Sequence, residues 1–430
     1  MSKFNFTGLE CVSCRHRLES DFSGYVCPRC GNNLRVLYDL DRVKAWREAG
    51  KFPARGRTGL LRYGAVLPVA EERFYPDLRV GGTPLYERAA MARELGLGAL
   101  YLKDDGLNPS GSLKDRASAA VVAVAAVRGV RLVAAASTGN AGSSMACMAA
   151  AAGLSSIIMV PQSAPPAKIA QLLVFGAQVV AVKGSYDDAF DLCLRLSERH
   201  GWFNRNTGYN PFTREGKKTV IYEVVEQLEG AAPDWVVVPV GDGNIISAVG
   251  KGLREMQQIG MIRRLPRLLA AQAATSDAIS RTVAAARSRN FSGDELDRNL
   301  PSLIQTVRGA HTVADSICVD LPRDGVAAVW EILHSQGEAV TATDEEILQA
   351  VAELGRKAAV FVEPAAAVTW AALRKAVAAG IVEKGARVVC LLTGSGLKDI
   401  SAAQKAAGSP LVVPPDEAAV EEALGLAGRP

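Results

Sequence analysis

The chain is poor in aromatic residues, 6% of its 430, and has only four histidines, none in a His-Glu-x-x-His spacing. That scarcity sets aside the zinc-hydrolase motif and offers no paired-histidine acid–base machinery. An excess of one charge is also missing. The 49 Lys and Arg face 45 Asp and Glu, a net charge of +4, with no long basic run. This removes the electrostatic case for nucleic acid or an acidic membrane as partner. No stretch of 18 or more apolar residues runs without a charge or a glycine turn, which argues against a membrane-spanning helix. The opening MSKFNFTGLECVSC lacks the apolar core of a secretory leader, so the expected location is the cytoplasm. Cys147, Cys193, Cys318 and Cys390 are scattered in apolar contexts and read as small buried hydrophobes rather than a disulfide framework.

What the chain does contain is 49% apolar and 22% charged residues, with abundant alanine, ordinary for a globular protein with a large core. Its length suggests two to three domains. The first 40 residues stand apart. CVSC and CPRC place Cys11, Cys14, Cys27 and Cys30 as two pairs separated by twelve residues. Each pair can form a knuckle whose thiolates converge on one tetrahedral ion, and the spacer accommodates a hairpin. The expectation is a zinc-ribbon-like segment over 1–40. Four cysteine ligands leave no coordination position open, so a bound Zn2+ would be structural.

From about residue 80 strands alternate with helices. ALYLK (99–103), RLVAAAS (131–137), SIIMVP (156–161), QVVAVKG (178–184), WVVVPVG (235–241), RLLAAQA (267–273) and ARVVCLLTG (386–394) read as buried strands. Alanine- and leucine-rich stretches such as DRASAAVVAVAAV and KKTVIYEVVEQLEG fill the gaps at helical spacing. The alternation predicts an α/β fold with parallel strands and helices on both faces. The terminal PPDEAAVEEALGLAGRP predicts a short surface helix, a tail over 416–430.

Four segments between a strand and a helix carry chemistry. In NPSGSLKDR, Lys114 falls in a first helical turn behind a flexible, donor-rich entry. In STGNAGSS, Ser137–Ser144, small residues let backbone amides approach an anion closely. In VPVGDGN, Gly241, Asp242, Gly243 and Asn244 precede a helix whose N-terminus can cradle a phosphate, though the spacing is neither Walker A nor GxGxxG. LLTGSGLKD places Thr393 at the end of a strand. Singly each is weak: most lysines at helix starts are solvated, and most Gly-Ser turns are caps.

Together, and in this order, they resemble the threonine synthases, members of the tryptophan-synthase-β-like (fold type II) pyridoxal-phosphate (PLP) enzymes. NPSGSLKDR is similar to that family's Asn-Pro-Thr-Gly-Ser-Phe-Lys-Asp-Arg block, with Ser110 for Thr and Leu113 for Phe. The resemblance implies that Lys114 forms the Schiff base with PLP. It implies that Asn140 bonds the ring hydroxyl and that Ser137, Thr138 and Gly139 clamp the substrate carboxylate. Gly241, Asp242, Gly243 and Asn244 hold the cofactor phosphate, in a loop one residue shorter than the family's Gly-Asn-x-Gly-Asn and carrying an unexpected acid. Thr393 faces the pyridine nitrogen, which a hydroxyl can serve without holding a full pyridinium. GGTPL (81–85), TVADSICVDLP (312–322) and FVEPAAA (361–367) extend the likeness over about 60–405.

By the same resemblance, Lys103, Asn210 and Arg214 contact a substrate whose phosphate needs cations. TGYNPFTREGKKT departs from the family run here. Thr213 occupies the family's arginine position, with Arg214 one place later and Lys168 as a substitute cation. The implied fold has two open, mostly parallel sheets. A large PLP-binding domain takes in 41–125 and 214–415, with a small mobile α/β domain at 126–213. The implied reaction converts O-phospho-L-homoserine and water to L-threonine and phosphate, in a homodimer acting on a small amino acid. A cysteate or cysteine synthase-like replacement and a threonine/serine dehydration remain as rival reactions, and a non-catalytic PLP-fold scaffold as a rival class.

Overall fold

The computed structural model describes residues 4–426 apart from Asn290 and Ser292. Among these, thirteen strands form three sheets. β1 (Gly8–Cys11), β2 (Arg17–Glu19) and β3 (Leu34–Leu37) make an antiparallel ribbon in the order β2-β1-β3. β4 (Leu85–Glu87) and β5 (Ala99–Asp104) begin the main sheet. β6 (Leu132–Ala136), β7 (Ser155–Pro161), β8 (Gln178–Val182) and β9 (Phe203–Asn204) form a wholly parallel sheet in the order β8-β7-β6-β9. β10 (Trp235–Pro239), β11 (Arg267–Ala273), β12 (Glu338–Ala342) and β13 (Arg387–Leu392) complete the six-stranded sheet, ordered β12-β11-β10-β13-β5-β4. Only β4 runs antiparallel to its neighbour there.

Two mostly parallel sheets with helices on both faces match the architecture that the resemblance implies. All seven apolar runs read from sequence are strands. The unread ones have weaker patterns. β12 is largely half-buried, and β4 and β9 have only three and two residues. Alternation sorts the main sheet cleanly. Val237, Leu269, Val388 and Cys390 face one core, with Trp370 of the Pro364–Ala378 helix. Val236, Val238, Leu268 and Val389 face the other, with Ile246 and Val249 of the Asn244–Gln258 helix. Period-two strands buried on both faces are what a helix-covered parallel sheet requires.

The Lys114–Val127 helix is apolar or small nearly all round, and Asp115 to Ala125 are buried. A helix with that surface belongs between layers. Parallel topology brings the carboxyl ends of β5, β13 and β10 side by side, with Leu392 opposite Asp104 and Val237 opposite Cys390. The loops leaving these ends therefore lie along one edge of the sheet, the edge at which α/β sheets collect their ligands. The ribbon is no free appendage. Leu9, Cys11, Leu34 and Val36 share a core with Val122, Phe203 and Phe212. The expected tail helix spans Glu417–Ala423, and residues 427–430 lie outside those described.

Candidate active site

The loop that delivers Lys114 is fixed from both sides. Asn108 Oδ1 accepts the Gly81 amide at 2.8 Å, and its Nδ2 donates to the Asp105 carbonyl at 2.9 Å. The Ser110 amide and hydroxyl donate to Asp115 at 2.7 and 2.5 Å. On the other side the Leu113 amide donates to the Thr393 carbonyl (2.9 Å) and the Ser395 amide to Gly111 (3.0 Å). Two of the sequence segments are therefore stitched together by backbone. Lys114 opens its helix half-buried. Burial pushes its ammonium down to about 8, aided by the charge of Arg205, while Asp242 and Glu363 oppose the shift. An amine so placed is partly neutral near pH 7, as attack on an aldehyde requires.

β6 ends in Ser137, Thr138 and Gly139, and Asn140 starts the next helix. The Ser137 hydroxyl accepts the Gly139 amide at 3.2 Å. Asn140 donates its amide to both oxygens of Glu363, at 2.8 and 3.0 Å. Glu363 is buried, burial raises its pKa, and its backbone amide bonds the Gly394 carbonyl at 3.1 Å. Asn140, Glu363 and the Thr393–Gly394 turn thus form one unit. Glu363 was not among the residues picked from sequence. Its signal was available in FVEPAAA, an acid before a proline at a helix start in apolar surroundings.

Gly241, Asp242 and Gly243 lead from β10 into the Asn244–Gln258 helix. Gly243 has φ +89°, and a Cβ there would stand 2.6 Å from the Ala328 Cβ, so only glycine fits. Asn244 donates to Asp324 at 2.8 Å and accepts from Lys217. Asp242 takes a long 3.4 Å hydrogen bond from the Arg323 amide, which turns its carboxylate toward the 322–325 loop. Asp324 also holds Ser247 (2.6 Å), Arg214 (2.5 Å) and, from the ribbon, Asn33 (2.9 Å).

A cavity open to solvent is lined by Thr138, Asn140, Lys168, Ser316, Glu363 and Lys398 among others. Lys398 donates to the Ser110 carbonyl (3.0 Å), Ser143 Oγ (2.9 Å) and Gln171 Oε1 (2.6 Å). Lys168 pairs with Asp315 at the rim. Three of the expected substrate contacts, Lys103, Asn210 and Arg214, do not line this cavity and have protein partners of their own. Lys103 is fully buried, its ammonium taken by the Thr83 carbonyl, Glu223 and Gln227 at 2.7–2.9 Å. Asn210 uses its amide to hold a turn, donating to the Asn204 carbonyl (2.8 Å) and accepting from the Phe212 amide (2.9 Å). Arg214 is directed to Asp324, Ser247 and the Leu34 carbonyl. Thr213 is buried too, bonding the Asn210 carbonyl. In each case the side chain has protein partners that complete it, and desolvated groups so satisfied stay where they are.

The donor set suits a phosphorylated aldehyde cofactor. It offers an amine of lowered basicity, a small-residue helix start for a phosphate, an amide at Asn140 and a hydroxyl at Thr393. At the ribbon, Sγ atoms of Cys11, Cys14, Cys27 and Cys30 lie within 4.8 Å of one another, with separations of 3.4 to 3.6 Å for three pairs. A tetrahedral zinc with about 2.3 Å bonds would hold its sulfurs about 3.8 Å apart, so the cluster suits such an ion with little adjustment.

Comparison with known proteins agrees with the geometry. Residues 77–394 match the family described as pyridoxal-phosphate dependent enzyme. A threonine synthase of Methanocaldococcus jannaschii is 36% identical over 94% of this chain and 96% of its own. One of Methanosarcina acetivorans is 34% identical over 97% and 98%, and one of Mycobacterium tuberculosis 37% over 84% and 94%. Among solved structures, a fungal L-serine ammonia-lyase from Rhizomucor miehei superposes with a TM-score of 0.62 at 19% identity, covering 75% of this chain and 96% of that one. A serine racemase from Dictyostelium discoideum gives 0.58 at 20%, covering 73% and 92%. At such identities the structures speak for the fold alone.

Proposed function

This chain belongs to the pyridoxal-phosphate dependent enzymes and, within them, to the threonine synthases, and from that premise we propose that it converts O-phospho-L-homoserine and water to L-threonine and phosphate. One arrangement carries the reading: Lys114, an amine of lowered basicity, feels the charge of Glu363, and Glu363 lines a cavity together with two lysines, Lys168 and Lys398. Bound PLP would supply an electron sink that acidifies the substrate's α carbon. Lys114 Nζ is the group to take that proton and pass it on, and a single mobile amine can serve successive transfers. Ser137, Thr138 and Gly139 receive the carboxylate at a helix start. Asn140 serves the ring hydroxyl, Thr393 the ring nitrogen, and Gly241–Asn244 the cofactor phosphate.

The substrate's phosphate falls to Lys168 and Lys398, because the position that carries arginine in the family is the buried Thr213. The segment 126–213, with its separate four-stranded sheet, is the domain that closes on substrate, against a large domain of 41–125 and 214–415. Cys11, Cys14, Cys27 and Cys30 hold a structural Zn2+ in the 1–40 segment. The enzyme works as a cytoplasmic homodimer; no described helix is long and apolar enough to cross a membrane. The test is to supply the PLP-loaded enzyme with O-phospho-L-homoserine and assay both products. Threonine and inorganic phosphate in equal amounts are expected. Ammonia and a 2-oxo acid instead would replace this reading with dehydration. Turnover of phosphoserine and sulfite, with none of phosphohomoserine, would replace it with a cysteate synthase.

A further inference from the structure

Lys217 closes the short Phe212–Lys217 helix and is fully buried. Its ammonium donates to Asn244 Oδ1, a neutral amide on the glycine cradle. Two other lysines are buried as deeply, Lys103 and Lys218, and both sit in ion pairs with glutamates, at 2.8 and 2.6 Å. No ion pair to Lys217 occurs among the described residues. A desolvated ammonium facing only an amide is strongly disfavoured unless an anion completes it. Its surroundings sharpen the point. Burial, then the like charges of Lys114 and Arg205, drive its basicity well down, and only Asp324 and Asp242 oppose. Asp324 already pairs with Arg214.

The placement is enforced rather than incidental. A Cβ on Gly216 would stand 1.7 Å from the Arg116 carbonyl, so the short helix lies directly on the Lys114 helix. That contact sets Lys217 beside both Lys114 and the start of the Asn244–Gln258 helix. Asp242 is the other oddity of the cradle, an acid where a phosphate is to sit, and its charge is felt by Lys217 and Lys114 alike. The two features explain each other. We propose that Lys217 contacts the cofactor's phosphate directly, and that its charge restores to the Gly241–Asn244 cradle what Asp242 removes.

The inference rests on the PLP site and not on the substrate assigned to it. The experiment titrates apoprotein with PLP and with pyridoxal, which lacks the phosphate, and reads the phosphorus NMR shift of bound PLP. In Lys217→Gln, PLP is expected to bind about 10- to 100-fold more weakly, the range for losing one charge-assisted hydrogen bond. Pyridoxal should bind as to wild type, and the phosphorus resonance should move. Adding Asp242→Asn should recover most of the loss. Unchanged PLP affinity overturns the proposal, and so does an equal loss for PLP and pyridoxal, the mark of a packing role. If Lys217→Gln does not fold, Asp242→Asn alone decides. It should tighten PLP and leave pyridoxal unchanged, and no tightening overturns the proposal. A wild type that binds no PLP would instead sink the cofactor reading itself.

Discussion

Lys114 and Arg116 stand two residues apart on one helix start, roughly opposite each other around its axis, and the two faces they serve have opposite electrostatics. On the Arg116 side every charge is answered. Arg116 meets Asp105 and Glu223 at 2.7 Å, Lys103 meets Glu223 at 2.8 Å, and the Thr83 hydroxyl (2.6 Å) and Gly82 amide (2.7 Å) complete the carboxylates. On the Lys114 side Lys114 and Lys217 converge with Arg205 and feel Asp242, Glu363 and Asp324, yet neither lysine makes an ion pair among the described residues. A buried charge costs several kcal/mol unless neutralised, so a saturated cluster reads as architecture and an unsaturated one as a site for a ligand. Lys103 shows the use of the distinction. The sequence reading makes it a substrate contact, and here its ammonium is answered by the Thr83 carbonyl, Glu223 and Gln227.

The comparison breaks if the two faces respond alike. Lys114→Ala should cut turnover by about 1000-fold or more and abolish the visible absorbance of the bound cofactor, while the melting temperature of the apoprotein holds. Loss of folding with the absorbance would count against the division. Glu223→Gln should act the other way. Leaving Arg116 and Lys103 short of a counter-charge should cost about 3–5 kcal/mol in urea unfolding, with any cofactor bound by the remaining folded protein keeping its spectrum.

Acid sharpens the same contrast. Burial opposes ionisation of Glu223, but Arg116 and Lys103 outweigh it and hold its carboxyl down to about 2, against an ordinary 4.5. Its contribution, about 3 kcal/mol, is therefore fully present above pH 4.5 and fades as the pH falls from there toward 2. Stability curves of wild type and Glu223→Gln should converge over that window. Parallel curves would show that the pair is not the acid-sensitive element. The smallest effect belongs to a pair on neither face: Lys357→Ala, which removes an exposed bridge to Glu94, should shift stability by no more than about 0.5 kcal/mol.

Much of the architecture was legible because burial on both faces writes continuous apolar runs. WVVVP and RVVCLL announce themselves as strands, and the order of four loop motifs marked the loops leaving such strands. Short or edge elements escaped, since two or three residues such as Phe203–Asn204 carry no period. The helix starts and glycine turns of the four motifs were legible because backbone geometry makes them. The partners of the long polar side chains were not, because such chains choose among groups that only packing brings near. Asn210 and Arg214 found theirs in a turn and in Asp324.

The sequence by itself determined the alternation of strands and helices, the Lys114 loop, the glycine cradle and the four-cysteine knuckles. These are local matters of spacing and side-chain size. Tertiary structure alone decided which buried charges are balanced. Glu223 lies 120 residues from Lys103, and Asp324 lies 110 from Arg214 and 291 from Asn33. Whether a lysine belongs to the framework or waits for a phosphate depends on what the fold sets against it in the absence of water.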